Sequence, residues 1–410
     1  MPESKPSHNP DIVQTVFSRP SKKKASRLFD QKGRQNVEEP KIPSPQILIS
    51  KRYPFGLDIG THSLKIVQLG LESEGRIRVI HALTEDFPSS VREHPDQKAI
   101  YISEILRKIS KSINLKDACF THVPISACKL DLIKLPRIPP QEVDKAMYWE
   151  IQQQFRRNPD EITYDYLVLE KQSRDLFDND VGFLVIVTQR KVVHEQLGLL
   201  KSVGLETLAT DVEALSDVAA LSYGNGYLHE QEVVLYLDFG AGQTTVGIIS
   251  NKELISVRSL NITGNFLTKA ISQYCQTSWE EAELLKREHG ISIGTGDQTL
   301  DDQAPEMTNH ATQVRNAILS HLEHLVQDIE HTFKHFSFQI TRSQITKYNR
   351  VIVCGGASSL KGFVPFLTSR LNVPVTLADP LGDLMAGQMG IPTGGAFNVA
   401  LGLALRGLEE

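Results

Sequence analysis

Cysteine is scarce: four residues in 410 (Cys119, Cys128, Cys275 and Cys354), none in a C-x-x-C spacing. That argues against a disulfide framework, and reduced thiols in apolar surroundings are the expectation. No apolar run reaches the roughly 18–20 residues that a membrane span requires, and the first residues lack the apolar core of a secretory leader. Neither charge sign dominates, since 44 Lys and Arg face 49 Asp and Glu for a net charge of −5. Nucleic acid is therefore disfavoured as the main partner, because a polyanion calls for a basic surface. The thirteen histidines show no metal-ligand spacing, and His321, His324, His331 and His335 read as the polar face of one helix. No Ser-His-Asp or Cys-His nucleophile pattern is present either. A cytoplasmic location is expected, with any membrane role reached through a partner. What remains is 40% hydrophobic and 7% aromatic, and too long for one ordinary core, so two domains are expected.

Two stretches about 180 positions apart carry nearly the same pattern: Gly56-Leu57-Asp58-Ile59-Gly60-Thr61-His62-Ser63 and Leu237-Asp238-Phe239-Gly240-Ala241-Gly242-Gln243-Thr244-Thr245. Each reads as an apolar strand, then Asp, Gly and a small turn, then a second strand. Such a bend exposes backbone N–H groups, and glycine lets the chain approach an anion closely. Asp at the strand end suits Mg²⁺, which keeps several waters and takes few carboxylates. Two bends facing each other would hold a polyphosphate from both sides. A third stretch, Arg350 to Cys354 followed by Gly355-Gly356-Ala357-Ser358, is a strand ending in a flat backbone surface suited to adenine or ribose.

Along the chain, residues 1–50 are rich in Pro, Ser, Lys and Gln and read as a disordered tail, with Lys22, Lys23, Lys24 and Arg27 as a basic cluster. Strands are expected over 55–59, 64–69, 77–83 and 119–123, with an amphipathic helix over 97–112. A strand-helix-strand-strand insert follows over 125–189: strands at 130–135, 164–169 and 182–187 and a helix at 142–156 with Pro140 before its start. The host domain resumes with helix 192–203, strand 206–210 and helix 213–221. The second domain, 223–384, holds the second bend, strand 253–259, helix 265–274 and helix 278–288, where Ser278 and Glu281 form a capping box. Residues 290–308 read as a loop, 314–336 as a long helix, 363–371 as a helix and 374–377 as a strand. A small-residue helix within 385–410 is expected to return to the first domain, 51–222.

The order of the three motifs resembles the phosphate-1, phosphate-2 and adenosine motifs of the actin-like ATPase superfamily, which includes actin, heat-shock chaperones, sugar kinases and FtsA. That implies an α/β, actin-like (ribonuclease H-like) two-domain ATPase fold carrying the inserted subdomain. The insert sharpens the resemblance. Leu135-Pro136, Pro140, Met147-Tyr148-Trp149-Glu150, Asp160-Glu161 and Tyr164-Asp165-Tyr166 are similar to the PilM family of type IV pilus assembly. So are Asp211-Val212-Glu213-Ala214-Leu215, Gly264 with Leu267-Thr268, Ala282 to Lys286, and Phe397 to Arg406. The resemblance covers about 53–408. It departs at the long tail, at His62 in place of a small residue, and at Asn265 in place of a second glycine.

The resemblance implies Asp58 and Asp238 as water-mediated Mg²⁺ ligands. Backbone of Gly60, Thr61, His62 and Ser63, and of Gly240, Gly242, Gln243 and Thr244, would cradle the phosphates of ATP. Lys65 would point at the phosphate or into solvent. Gly264, Glu283, Lys286, Gly355, Gly356, Ala357 and Ser358 would meet the nucleoside; Glu283 and Lys286 share a helix face in any case. Asp211 and Glu213 stand where the superfamily places an acid that orients attacking water, although the helix dipole alone favours acids there. The implied role is an ATP-binding scaffold under the inner membrane that takes the cytoplasmic N-terminal segment of a PilN-like protein, with self-association open. An active ATPase or kinase, or an FtsA-like filament protein, is the alternative; a chain ending soon after Leu408 gives little room for an FtsA-type membrane helix. Asp58→Ala is expected to abolish Mg-ATP binding with the fold intact.

Overall fold

The computed structural model describes residues 53–409 except 73–75, 114, 116–117, 156–160, 173–176, 178–179, 224–225, 292–308 and 386–394. The expected tail, most of the 290–308 loop and part of the C-terminal stretch lie outside the described residues. In chain order the elements are β1 (Phe55–Ile59), β2 (Ser63–Leu71), β3 (Ile77–Asp86), α1 (Ser89–Glu93), α2 (Pro95–Ser112) and β4 (Cys119–Val123). Next come β5 (Cys128–Leu135), α3 (Pro140–Phe155), β6 (Ile162–Val168), β7 (Val181–Gln189), α4 (Arg190–Ser202), β8 (Thr207–Val212) and α5 (Glu213–Tyr223). The second half holds β9 (Val233–Phe239), β10 (Thr244–Ser250), β11 (Glu253–Leu260), α6 (Gly264–Cys275), α7 (Trp279–His289) and α8 (Asn309–His335). It closes with β12 (Arg350–Cys354), α9 (Phe363–Leu371), β13 (Val375–Leu377), α10 (Pro380–Leu384) and α11 (Asn398–Glu409).

Two five-stranded sheets share one topology. The first runs β3-β2-β1-β4-β8 and the second β11-β10-β9-β12-β13. In each, an antiparallel meander is extended by two parallel strands. The register makes the two bends equivalent: Asp58 pairs with Lys65 across the first and Asp238 with Thr245 across the second. Central strands such as β9 read as nearly continuous apolar runs because both faces are covered. The same repeat places both Asp residues at the same end of their sheets.

The third sheet, β5-β7-β6, is the insert and is antiparallel throughout. Its central strand β7 is buried on both faces, and the period-2 alternation divides its side chains between two cores. Phe183, Val185 and Val187 pack with Val143, Met147 and Ile151 of α3. Leu184 and Ile186 belong instead to the main core with Leu169, Phe177 and Leu254 of β11. The insert is thus wedged against the second domain's edge strand, a placement that local patterning does not reveal.

α11 lies on β1, β2, β4 and α5, burying Ala400, Leu401, Leu403 and Ala404. Its small residues permit the close approach. A Cβ at Gly402 would stand 1.8 Å from the carbonyl oxygen of Ser216 on α5. Gly402→Ala is therefore expected to destabilise by about 1–3 kcal/mol through overpacking, read as a lower urea midpoint with unchanged slope. An unchanged midpoint would contradict the packing described.

Several boundaries differ from expectation. β8 runs on to Val212, so Asp211 sits inside the strand rather than after it. α8 begins at Asn309 and ends in one wide turn over Phe336–Ile340. α1 and α10 were not anticipated; both are five-residue helices without the periodicity that marks longer ones. At the start of α7, Ser278 accepts from Glu281 N–H as the capping pattern requires. All four cysteines are free, with Cys119 and Cys354 buried.

Candidate functional site

The two bends close in the same way. Gly60 N–H donates to Ser63 carbonyl at 3.0 Å, and Gly240 N–H donates to Gln243 carbonyl at 3.0 Å. They also meet: a Cβ at Gly242 would lie 2.4 Å from Thr61 Oγ1, so only glycine lets the second bend touch the first. Both line one cleft of about 500 Å³, within the size range of small-molecule sites. Among the described residues, the N–H groups of Thr61, His62, Gly242 and Gln243 donate to no backbone carbonyl. Such amides on a concave turn suit an anion.

Asp58 is buried and flanked by Lys65 Nζ at 3.0 Å and His122 Nε2 at 3.0 Å. Burial alone would raise its carboxyl, but Lys65 and His122 outweigh burial and hold it well below the usual carboxylate range. His122 is also buried and is pulled two ways. Burial lowers its pKa, while the hydrogen bond to Asp58 and the charge of Glu213 prevail and raise it. Asp238 behaves in the opposite sense, pushed up to about 7 by burial and then by Glu213 and Asp58, with Lys65 and His122 acting against. Gly355, at φ +88°, lies directly on it: a Cβ there would fall 2.1 Å from Asp238 Oδ1.

On the far wall, Lys286 Nζ donates to Glu283 Oε2 at 2.6 Å, Thr268 Oγ1 at 2.7 Å and the Gly264 carbonyl at 3.1 Å. Glu283 Oε1 accepts from Arg287 Nε at 2.8 Å. This is a partly buried network rather than a solvated surface pair. Burial would raise Glu283, yet Lys286 dominates and brings it down to about 2. Its contribution to stability is therefore full above about pH 4.5 and fades as the pH falls toward 2. Lys286→Met is expected to cost about 1–3 kcal/mol by removing three hydrogen bonds from the ammonium and leaving Glu283 with Thr268 and Arg287 alone. Denaturant unfolding that shows no loss would contradict the network.

The cleft gathers most of the sequence-derived candidates: Asp58, Gly60, Thr61, His62, Ser63, Lys65, Glu213, Asp238, Gly240, Gly242, Gln243, Gly264, Glu283, Lys286, Gly355, Gly356 and Ala357. Three candidates do not line it. Asp211 is buried in an ion pair with Arg406 of α11, a structural contact. Thr244 turns its hydroxyl to the Ile262 carbonyl at 2.7 Å. Ser358 donates to the Gly355 carbonyl at 2.6 Å, and Ser359 faces the cleft instead. Lys65 points at Asp58, neither to solvent nor clear of its neighbours. The N–H of Gly264 is taken by the Gly240 carbonyl at 2.9 Å, so that residue contributes shape and not a free donor. His62 lines the cleft with Nδ1 held by Arg92 at 2.9 Å.

Three residues were not anticipated: His122, Asp217 and Asn398. His122 sits on β4 among apolar neighbours and carries no local motif. Asp217 lies four residues after Glu213 on α5 and hence on the same helix face, the one signal that could have found it. Both its oxygens are buried without a hydrogen-bond partner among the described residues. Burial, then Asp238, Glu213 and Asp58, raise its carboxyl well above the usual range.

The chain matches the family model described as type IV pilus assembly protein PilM over residues 56–408. The chain belongs to the PilM family. Among solved structures, a chain of a PilM–PilN type IV pilus biogenesis complex is similar with a TM-score of 0.70 and 22% identity, covering 88% of this chain and 100% of that one. The actin-like fold is thereby shown. Among curated proteins, FtsA of Bacillus subtilis is 26% identical over 213 residues, which is 49% of this chain and 45% of that protein. FtsA of Staphylococcus epidermidis ATCC 12228 is 23% identical over 367 residues, 84% of this chain and 76% of that protein. The chain thus spans less than half the length of the first of these relatives. Among the described residues of this PilM-family chain, no helix is long and apolar enough to cross a membrane.

The residues present fit a magnesium nucleotide. The bends offer free amides, the space beside Gly356 is open to 4 Å, and two carboxylates sit one on each bend. Oxygen donors of this kind suit a hard cation.

Proposed function

We propose that this type IV pilus assembly protein is a nucleotide-dependent scaffold that binds ATP with Mg²⁺ between its two domains. The observation that carries this reading is the contact of Thr61 with Gly242, which brings two equivalent glycine bends, each with its Asp, to one cleft. Asp58 and Asp238 would hold the cation through water. Thr61, His62, Gly242 and Gln243 would donate backbone N–H groups to the phosphates, and Glu283, Lys286 and Gly356 would meet the nucleoside. The bound group supplies charge and a bridge between the domains. A ligand that touches both walls favours the closed cleft by its differential affinity for that state.

The partner is a PilN-like bitopic membrane protein whose cytoplasmic N-terminal segment binds this chain near the insert. The likeness to a chain of a PilM–PilN complex supports that reading, as does the wedging of the insert between the domains, where closure would be felt. Membrane association would come through this partner. A second reading, a working ATPase, is favoured by Glu213 alone: it lines the cleft and accepts from Ile125 N–H at 2.9 Å, with His122 Nδ1 3.7 Å away. An acid so placed could orient a water.

Purified protein titrated with Mg-ATP, with and without a PilN-like peptide, tests both. Tight peptide binding that shifts with nucleotide, and negligible turnover, is the expected result. Rapid phosphate release would support the second reading. Absence of nucleotide binding at millimolar concentration would end both.

A further inference from the structure

Two side chains that line the cleft, Asp217 and Asn398, and one in the core behind it, Tyr236, are left unused by the nucleotide reading. Asp217 and Tyr236 are 0% exposed and Asn398 is 3% exposed. Asp217 Oδ1 and Oδ2, Asn398 Oδ1 and Nδ2, and the Tyr236 hydroxyl all lack a hydrogen-bond partner among the described residues. Asn398 stands beside Asp217 and Cys354 without completing a well-formed hydrogen bond to either. A buried polar atom left unpaired costs about 1–3 kcal/mol, and native proteins keep few of them. Five in one place call for an occupant.

Topology brings the three together. Asp217 is one helical turn beyond Glu213 on α5, and Asn398 opens α11, which packs on α5. Tyr236 precedes Asp238 by two residues on β9 and so shares its face of the second sheet. Asp217 and Asn398 also line the cleft itself. The cluster therefore joins two helices of the first domain to a strand of the second.

We propose that this cluster binds a monovalent alkali cation, held by Asp217, the carboxamide oxygen of Asn398 and the Tyr236 hydroxyl. The donors are all oxygen, which selects hard cations over thiol- and imidazole-seeking metals. No group of three His, Cys, Asp or Glu side chains among the described residues is arranged to hold a metal ion. One carboxylate with two neutral oxygens matches the charge of a single monovalent ion. The cation would also separate Asp217 from Asp238, Glu213 and Asp58, which otherwise crowd four carboxylates around one cleft. It would thereby favour contact between the two domains. The inference concerns the cleft of the nucleotide reading and does not need nucleotide to bind.

The test uses the full chain without nucleotide, in potassium chloride or in choline chloride at equal ionic strength. Potassium is expected to raise the melting temperature by about 2 °C or more, and Asp217→Asn, nearly isosteric, to abolish the difference. Crystals grown in rubidium chloride are expected to show anomalous scattering beside Asp217. No potassium effect in the wild type, or an effect that survives in Asp217→Asn, overturns the proposal; the three side chains would then be a neutral packing cluster or a water site. If Asp217→Asn does not fold, Asn398→Ala and Tyr236→Phe, which keep the carboxylate, carry the same comparison. A fluorescent ATP analogue titrated in both salts separates the two readings. Loss of analogue binding with the potassium shift intact sinks the nucleotide reading and leaves the cation site standing.

Discussion

Asp58→Ala is expected to abolish Mg-ATP binding and, in the same protein, to remove about 3–5 kcal/mol of stability, the usual cost of deleting one partner of a buried ion pair. The sequence alone led to the first effect with an intact fold. The structure adds the second, because Lys65 Nζ and His122 Nε2 each lie 3.0 Å from the lost carboxylate. Asp58→Asn separates the effects, since it keeps hydrogen-bond acceptance but not charge. The sign of the pH dependence follows from the depressed carboxyl of Asp58. Its stabilisation is complete above the unfolded pKa of about 4 and disappears as the pH falls. Acid titration of unfolding should therefore be flatter in Asp58→Ala than in the wild type. Wild-type affinity for Mg-ATP in this variant would remove Asp58 from the site.

Asp238→Asn is expected to have the same effect on ligand and the opposite one on stability. Asp238 is pushed up to about 7, so between about pH 4 and 7 the folded protein keeps a proton that the unfolded chain has lost. The contribution of Asp238 to the stability of the nucleotide-free protein is then largest below about pH 4 and falls away as the pH rises through 7. Asp238→Asn removes that dependence and is expected to stabilise the nucleotide-free protein at pH 8 by about 2 kcal/mol, screening by cleft water included. Mg-ATP binding in the wild type should release protons near neutrality, measurable by calorimetry in buffers of different ionisation enthalpy. A destabilised Asp238→Asn protein at pH 8 would show that the carboxylate is stabilising and the electrostatic account wrong. The two aspartates are equivalent in sequence and in sheet register, yet among the described residues only Asp58 is bonded by a lysine and a histidine.

The bends were legible because their chemistry is local: strand, Asp, Gly and a small turn occupy fewer than ten consecutive residues. The insert was legible too, from the period-2 pattern of its strands and the prolines around Leu135. Glu283 and Lys286 were found as helix neighbours, but nothing in their spacing showed that Thr268 and Gly264 would bury the pair. Asp211 was misplaced by two residues of strand. β8 continues through Val212 to pair with β4, and Arg406, nearly 200 positions away, takes up the carboxylate. Thr244 and Ser358 do not line the cleft: Thr244 belongs to β10 and its hydroxyl bonds the Ile262 carbonyl, and the Ser358 hydroxyl bonds the Gly355 carbonyl.

By itself the sequence determined two repeated strand-bend-strand units with an aspartate each, an inserted subdomain between them, and the family resemblance that followed from their order. Only the tertiary structure decided that the bends touch, that the insert leans on the second domain, that His122 meets Asp58, and which carboxylates share a cleft with Asp217 and Asn398. The physical reason is range. Turn chemistry and hydrophobic period act over a few residues and are written in consecutive letters. Burial, Coulomb interactions and the pairing of polar groups depend on distances between side chains that the fold brings together from remote parts of the chain.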